Sequence, residues 1–248
     1  MFPFFTLVQL SGATEYASGG APVVAVVARE AVVVLAITVR GPSRLEGEEA
    51  RRKTCTLGGN DSVLFAFSGF APDAQHLHRA LCAAEDYKSV EDLATHAASL
   101  QYDRLSTLTS RPLALSSVIC GFSPSSPTPS LWHISPSSLL SSFSAVALGE
   151  NAENRQVRLD ERWTDGMQTD EAVELAMGCL RDVERLVAEG LVEVTVVERQ
   201  GVRKLPRSEL LSRLAPTPAS TEGRSALPPS PTLAPSSASS PFARLIDT

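Results

Sequence analysis

No two of the four cysteines (Cys55, Cys82, Cys120, Cys179) stand closer than 27 residues apart. With no CxxC pair, a zinc knuckle and a thioredoxin-type redox centre are excluded, and buried free thiols in a reducing compartment are expected. Positive charge is also short. Lys+Arg 22 against Asp+Glu 28 leaves a net charge of −6, a poor match for a nucleic-acid backbone as main partner. Long apolar runs are missing as well: residues 23–39 are the most apolar stretch, but Arg29 and Glu30 split it. It falls short of the roughly 20 residues that a spanning helix needs. The opening MFPFFTLVQL is apolar, yet no Lys or Arg precedes Arg29, so the positive n-region of a secretory signal is lacking. A soluble intracellular protein without membrane contact is expected. No GxSxG elbow, HExxH, P-loop or GxGxxG occurs. His76 and His78 stand two apart, on different faces of a helix, and His96 and His133 have no obvious partner, so neither a metal nor a cofactor is expected. The acidic pairs Glu48-Glu49 and Glu91-Asp92 read as solvated faces or helix starts.

What the chain does contain is enough for a core. Of its 248 residues, 43% are hydrophobic and 20% charged, close to the averages for globular proteins. Residues 214–248 differ, with seven prolines, seven serines and four charges that cancel. Such a segment buries too little apolar surface to offset its ordering entropy, so a disordered tail is expected. Residues 1–213 then form the folded domain and carry the whole net charge.

Within that domain, residues 23–28 and 31–39 are two β-branched runs joined by Arg29-Glu30, and neither alternates with polar residues. They predict a hairpin buried on both faces. Residues 52–57 and 63–68, around the turn Gly58-Gly59-Asn60-Asp61, predict a second hairpin. The four strands in succession are expected to make one sheet. A helix is expected from Pro72 to near Tyr87, with Ala74, Leu77, Leu81 and Ala84 on one face. Ser89 reads as the N-cap of another, carrying Val90, Leu93, Ala97, Leu100 and Leu105. Strands are expected at 113–122, 130–134 and 140–148, and helices at 150–163 and 170–189. Strands at 191–198 and 202–205 follow, then a terminal helix capped at Ser208. Strands, two helices, strands, two helices, strands is not a doubly wound βαβ order. It fits an α+β fold, a four-layer αββα sandwich with helices outside two antiparallel sheets.

Specific residues point further. Gly19-Gly20-Ala21-Pro22-Val23-Val24, followed by AVVVLAITV, resembles the first hairpin of a 20S proteasome α subunit, a family within the N-terminal-nucleophile fold. Phe67-Ser68-Gly69-Phe70-Ala71-Pro72-Asp73 resembles its strand-to-helix junction, with a Ser-Gly-x-x-x-Asp pattern. Arg111-Pro112-Leu113 through Val118-Ile119-Cys120-Gly121-Phe122 resembles its Arg-Pro-containing strand. Ala147-Leu148-Gly149-Glu150-Asn151 and Gly201-Val202-Arg203-Lys204-Leu205 complete a series in the family's order over residues 7–213. The Gly-Gly-Ala-Pro and Ile-Cys-Gly details are most similar to the second of the seven eukaryotic α types.

The resemblance implies a non-catalytic ring component. Catalytic β-type relatives use an N-terminal threonine whose own amine activates its hydroxyl. Side by side, Pro22 falls at that position, Thr38 at that of the supporting aspartate, and Lys53 near the catalytic lysine. The alternative, a catalytic N-terminal-nucleophile hydrolase, would have to expose a Ser, Thr or Cys, and Ser18 is the nearest. A free-standing globular adaptor with a disordered tail is the third reading. An α subunit implies partners instead: other α subunits in a seven-membered ring, β subunits, and proteasome activators such as the regulatory particle. It implies a place in ubiquitin- and ATP-dependent protein degradation in cytoplasm and nucleus. The pocket for activator C-termini would use Lys53, or Arg52 one residue away, to hold a terminal carboxylate by a charge-assisted bond, with Gly69 lining it. The competing reading of Arg51-Arg52-Lys53 is an ordinary solvated run. At the start, Pro3 and Leu7-Val8-Gln9 resemble the end of the turn before the first helix. Ser11-Gly12-Ala13 stands where the family has Glu-Tyr-Ala, so that helix would hold Gly12, Gly19 and Gly20. The Tyr-Asp-Arg gate segment that the family carries upstream of the first helix is missing there, leaving the gate to other subunits or to residues before Met1.

Overall fold

The computed structural model describes residues 4–38, 52–57, 62–83, 87–107, 109–124 and 126–214. The first hairpin forms as its valine content requires, because branched Cβ atoms pack well on a pleated surface. Strands β1 (Val23–Val27) and β2 (Ala31–Ile37) pair antiparallel from Val23↔Ala36 to Val27↔Val32. Val24, Val26, Val33 and Leu35 project to one side, into a core shared with helices. Val23, Ala25, Val32, Val34 and Ala36 project to the other, into a core shared with a second sheet. The lack of polar alternation therefore reports burial on both faces.

The four consecutive strands do not make one sheet. β1 and β2 join β8 (Ala145–Leu148), β9 (Val192–Glu198) and β10 (Gly201–Lys204) in the order β10-β9-β2-β1-β8. β3 (Thr54–Thr56) and β4 (Val63–Gly69) join β5 (Leu115–Phe122), β6 (Pro129–Ile134) and β7 (Leu140–Ser142), in that order, in the second sheet. The physical reason is that a doubly apolar hairpin needs a cover on each face, and the second sheet supplies one. Residues 140–148, expected as one strand, likewise divide. The chain crosses between sheets at Phe143-Ser144, where Phe143 N–H donates to Leu131 C=O (3.0 Å) and Ser144 C=O accepts from Val27 N–H (2.8 Å).

Helices α2 (Ala71–Cys82) and α3 (Val90–Ser106) cover the second sheet, with Leu77, Leu81, Leu93 and Ala97 against Phe65, Phe67 and Ile119. Ser89 caps α3 by accepting Asp92 N–H at 3.0 Å, as its position predicts. On the first sheet lie α4 (Ala152–Arg162), α5 (Thr169–Gly178), α6 (Val183–Ala188) and α7 (Arg207–Leu214). They contribute Leu159, Ala172, Val187 and Leu210. The expected αββα sandwich is thus the observed one. The single helix expected over 170–189 is two: Cys179 closes α5, and Asp182 at φ 52° turns the chain into α6. That turn keeps Leu175, Ala176 and Val187 in one core.

The N-terminal expectation also shifts. α1 runs Phe4–Ser18, so Leu7-Val8-Gln9 are helical rather than part of a turn, and Gly12 alone of the three glycines lies inside. Gly19 and Gly20 close the helix through bonds to the Glu15 and Ala17 carbonyls (3.0 and 3.2 Å), consistent with glycine's poor helix propensity. Nor are all the thiols buried: Cys120 and Cys179 are, but Cys55 is half-buried and Cys82 exposed, and all four are free. Among the described residues, no helix is long and apolar enough to cross a membrane. The turn at 58–61, the helix position Ala84, the strand end Val39, the pair Glu48-Glu49 and the tail from 215 onward lie outside the described residues.

One partly buried histidine makes the fold's stability depend on pH. His133 on β6 is half-buried, its Nε2 lies 2.7 Å from Ser116 Oγ, and the Phe143 ring meets it edge-on. Burial pushes its pKa from 6.5 to about 4. Between those values the unfolded chain takes up a proton that the native one refuses, so stability falls as pH drops from 6.5 toward 4. The gap corresponds to about 2–3 kcal/mol, allowing for partial exposure. In urea titrations over that range, His133→Gln should show a flatter decline than the parent chain. Parallel declines would refute this.

Candidate functional site at the head of the first hairpin

Four segments meet where β1 begins: the end of α1, the end of β4, the Gly149 turn, and Gly20-Ala21-Pro22. Gly20 permits the closest approach, since a Cβ there would lie 2.4 Å from both Gly69 N and Ser68 Oγ. Its carbonyl accepts Glu150 N–H at 2.8 Å. Ser68, fully buried, donates its hydroxyl to Ala17 C=O at 3.2 Å and so fastens the last turn of α1 to β4.

Pro22 is buried inside the chain, and its carbonyl accepts Ile37 N–H at 2.9 Å. It offers neither a hydroxyl nor a free amine, the two groups that autocatalytic N-terminal chemistry needs. The nearby hydroxyls are engaged: Ser18 Oγ with Glu15 C=O (2.9 Å), Ser68 Oγ as above, and Thr38 Oγ1 with Leu191 C=O (3.1 Å). Thr38 therefore ties β2 to the start of β9. Cys179 borders a cavity beside Pro22, but burial raises its thiol pKa against the pull of Arg158, Arg155 and Arg162.

Lys53 stands one step before the Thr54↔Ala66 pair, and its carbonyl accepts Phe67 N–H at 3.2 Å. Its Nζ lies 4.5 Å from the centroid of the Phe67 ring, a cation–π contact, and burial lowers its pKa. Arg52 beside it is exposed. Lys53 is thus held two residues along the ladder from Gly69, the third expected member of the pocket. Gly69 has φ 115°, and a Cβ on it would meet Ala114 O at 2.4 Å. The close backbone approach that glycine permits is taken up by this chain's own β5 entry.

Two motifs that look independent in sequence are joined in space. The Asp73 carboxylate accepts from Arg111 Nη1 and Nη2 at 2.7 and 2.8 Å and from Ala114 N–H at 2.9 Å. Arg111 also lies over Phe70 (5.5 Å to the centroid), and Phe70 meets Tyr16 of α1 edge-on at 5.8 Å. Only the opposite charges of the two motifs could have signalled this. Sequence reasoning also missed Arg155, Arg158 and Arg181, which gather around a cavity of about 500 Å³ beside Pro22.

A four-layer sandwich whose first strand opens at a junction of α1, β4 and the Gly149 turn is of the N-terminal-nucleophile type. Residues 17–197 match the family described as proteasome subunit, and the chain belongs to that family, on its α-type branch. It is 26% identical over 225 residues to proteasome subunit alpha type-2 of Drosophila melanogaster, covering 87% of this chain and 94% of that protein. It is 28% identical over 188 residues to proteasome subunit alpha type-7 of Cicer arietinum, and 29% identical over 188 residues to proteasome subunit alpha type-7-B of Arabidopsis thaliana. Each of those two matches covers 72% of this chain and 74% of the relative.

Proposed function

We propose that the chain serves as a non-catalytic α-ring subunit of the 20S proteasome core particle. The observation that carries this reading is Pro22, buried and peptide-bonded at the head of β1; the family resemblance aligns it with the reactive threonine of catalytic relatives. In this reading the chain sits in a seven-membered ring with other α subunits, rests on β subunits, and works in ubiquitin- and ATP-dependent degradation in cytoplasm and nucleus. The exposed Leu7, Val8 and Tyr16 of α1 suit a helix that meets a neighbouring subunit. Lys53, with Arg52 as the alternative cation, receives the C-terminal carboxylate of an activator beside Gly69, and substrate-entry gating belongs to the ring of which the chain is a part.

Two measurements test this. Tagged full-length chain from its own cells should elute in a particle far larger than its 26.4 kDa. Elution as a monomer alone would overturn the ring assignment. Lys53→Ala should leave that particle intact while weakening capture of activator C-terminal peptides by about tenfold, the loss of one charge-assisted bond. Undiminished capture would move the role to another cation, Arg52 first.

A further inference from the structure

We propose that the cavity beside Pro22 binds a small molecule bearing a diphosphate group. It encloses about 500 Å³, within the range of small-molecule sites. Among the described residues three guanidiniums line it (Arg155 and Arg158 from α4, Arg181 from the α5–α6 turn), against one carboxylate, that of Glu150. None of the three has a salt-bridge partner among the described residues. Arg155 Nη1 donates to Glu150 C=O and Arg158 Nη1 to Gly178 C=O (3.3 Å), which anchors the two side chains. Arg155 Nε is buried with no hydrogen-bond partner among the described residues.

Guanidiniums are forks of donors with no acceptor, shaped for bidentate oxyanions. Asn151 and Asn154 add amide donors at the same wall. Three cations against one anion favour a ligand with more than one negative charge, as a diphosphate has. Pro22, Ile37, Leu180 and Leu186 form an apolar wall for its organic part. This inference concerns the single chain and does not rest on ring membership.

Isothermal titration of the isolated full-length chain with inorganic pyrophosphate and with ADP, at matched ionic strength, reads the site directly. Both should bind saturably at one site per chain. Arg158→Gln and Arg181→Gln, at exposed positions that the core does not need, should each weaken both by about tenfold or more. Arg79→Gln, on α2, should change neither. Circular dichroism confirms that each variant is folded. Failure of either probe to saturate, or affinities unmoved in both cavity variants, would overturn the proposal, whatever the particle mass shows about the ring.

Discussion

Gly149→Ala should lower the unfolding free energy by about 3–5 kcal/mol, and Gly166→Ala by only about 1–2 kcal/mol. Both glycines have positive φ, 84° and 74°, so both substitutions carry the cost of a left-handed L-residue. They differ in what the new methyl would meet. At Gly149 it would lie 2.6 Å from Gly20 O and Ser68 Oγ and 2.8 Å from Ala21 O, while at Gly166 nothing lies within 4 Å. The backbone atoms at Gly149 cannot step aside without parting β1 from the β8–α4 turn. The bond from Glu150 N–H to Gly20 C=O and the Ser68 tether to α1 would stretch together. Urea unfolding of the two variants isolates the packing term as their difference. Equal losses would mean that the junction has slack.

How much of this was legible without coordinates differs by element. The valine runs announced a hairpin buried on both faces, because period-2 alternation is lost only when both sides are covered. The same runs could not say that the next hairpin lies on top of the first rather than beside it. Sheet membership is a long-range choice, and local pattern is silent on it. The α5–α6 break is invisible in the sequence because its apolar positions continue in helical register, whereas the turn depends on a single residue, Asp182, at positive φ. Pro22 was readable at once, since a proline carries no hydroxyl to act as a nucleophile wherever it folds. The arginines were not. Arg155 and Arg158 sit on α4 and Arg181 more than 20 residues away, and only the tertiary turn brings them to one cavity.

Asp73→Ala should destabilise the protein by about 3–5 kcal/mol, and Arg111→Ala by distinctly less. The asymmetry follows from who else depends on the carboxylate. Asp73 is buried and accepts three bonds, two from the Arg111 guanidinium and one from Ala114 N–H. Its removal leaves a cation and a backbone donor without their acceptor. The Arg111 side chain is 52% exposed, so water can solvate the guanidinium when the pair is broken, and its own loss leaves Ala114 N–H satisfied. Asp73→Asn, which keeps an acceptor but not the charge, should fall between. In the double variant Asp73→Ala/Arg111→Ala the loss should be close to that of Asp73→Ala alone, because the pair acts as one unit. A second readout connects this bracket to the surface assigned to ring contacts. Arg111 lies over Phe70, and Phe70 supports Tyr16, so freeing the guanidinium loosens the seat of α1. Limited proteolysis of Asp73→Ala should therefore cut first within α1, well before the sheets are attacked. If cleavage there stayed as slow as in the parent chain, α1 would be held by the Ser68 hydroxyl and its buried Ala13 and Ala17 alone, with Arg111 contributing only to the β5 entry.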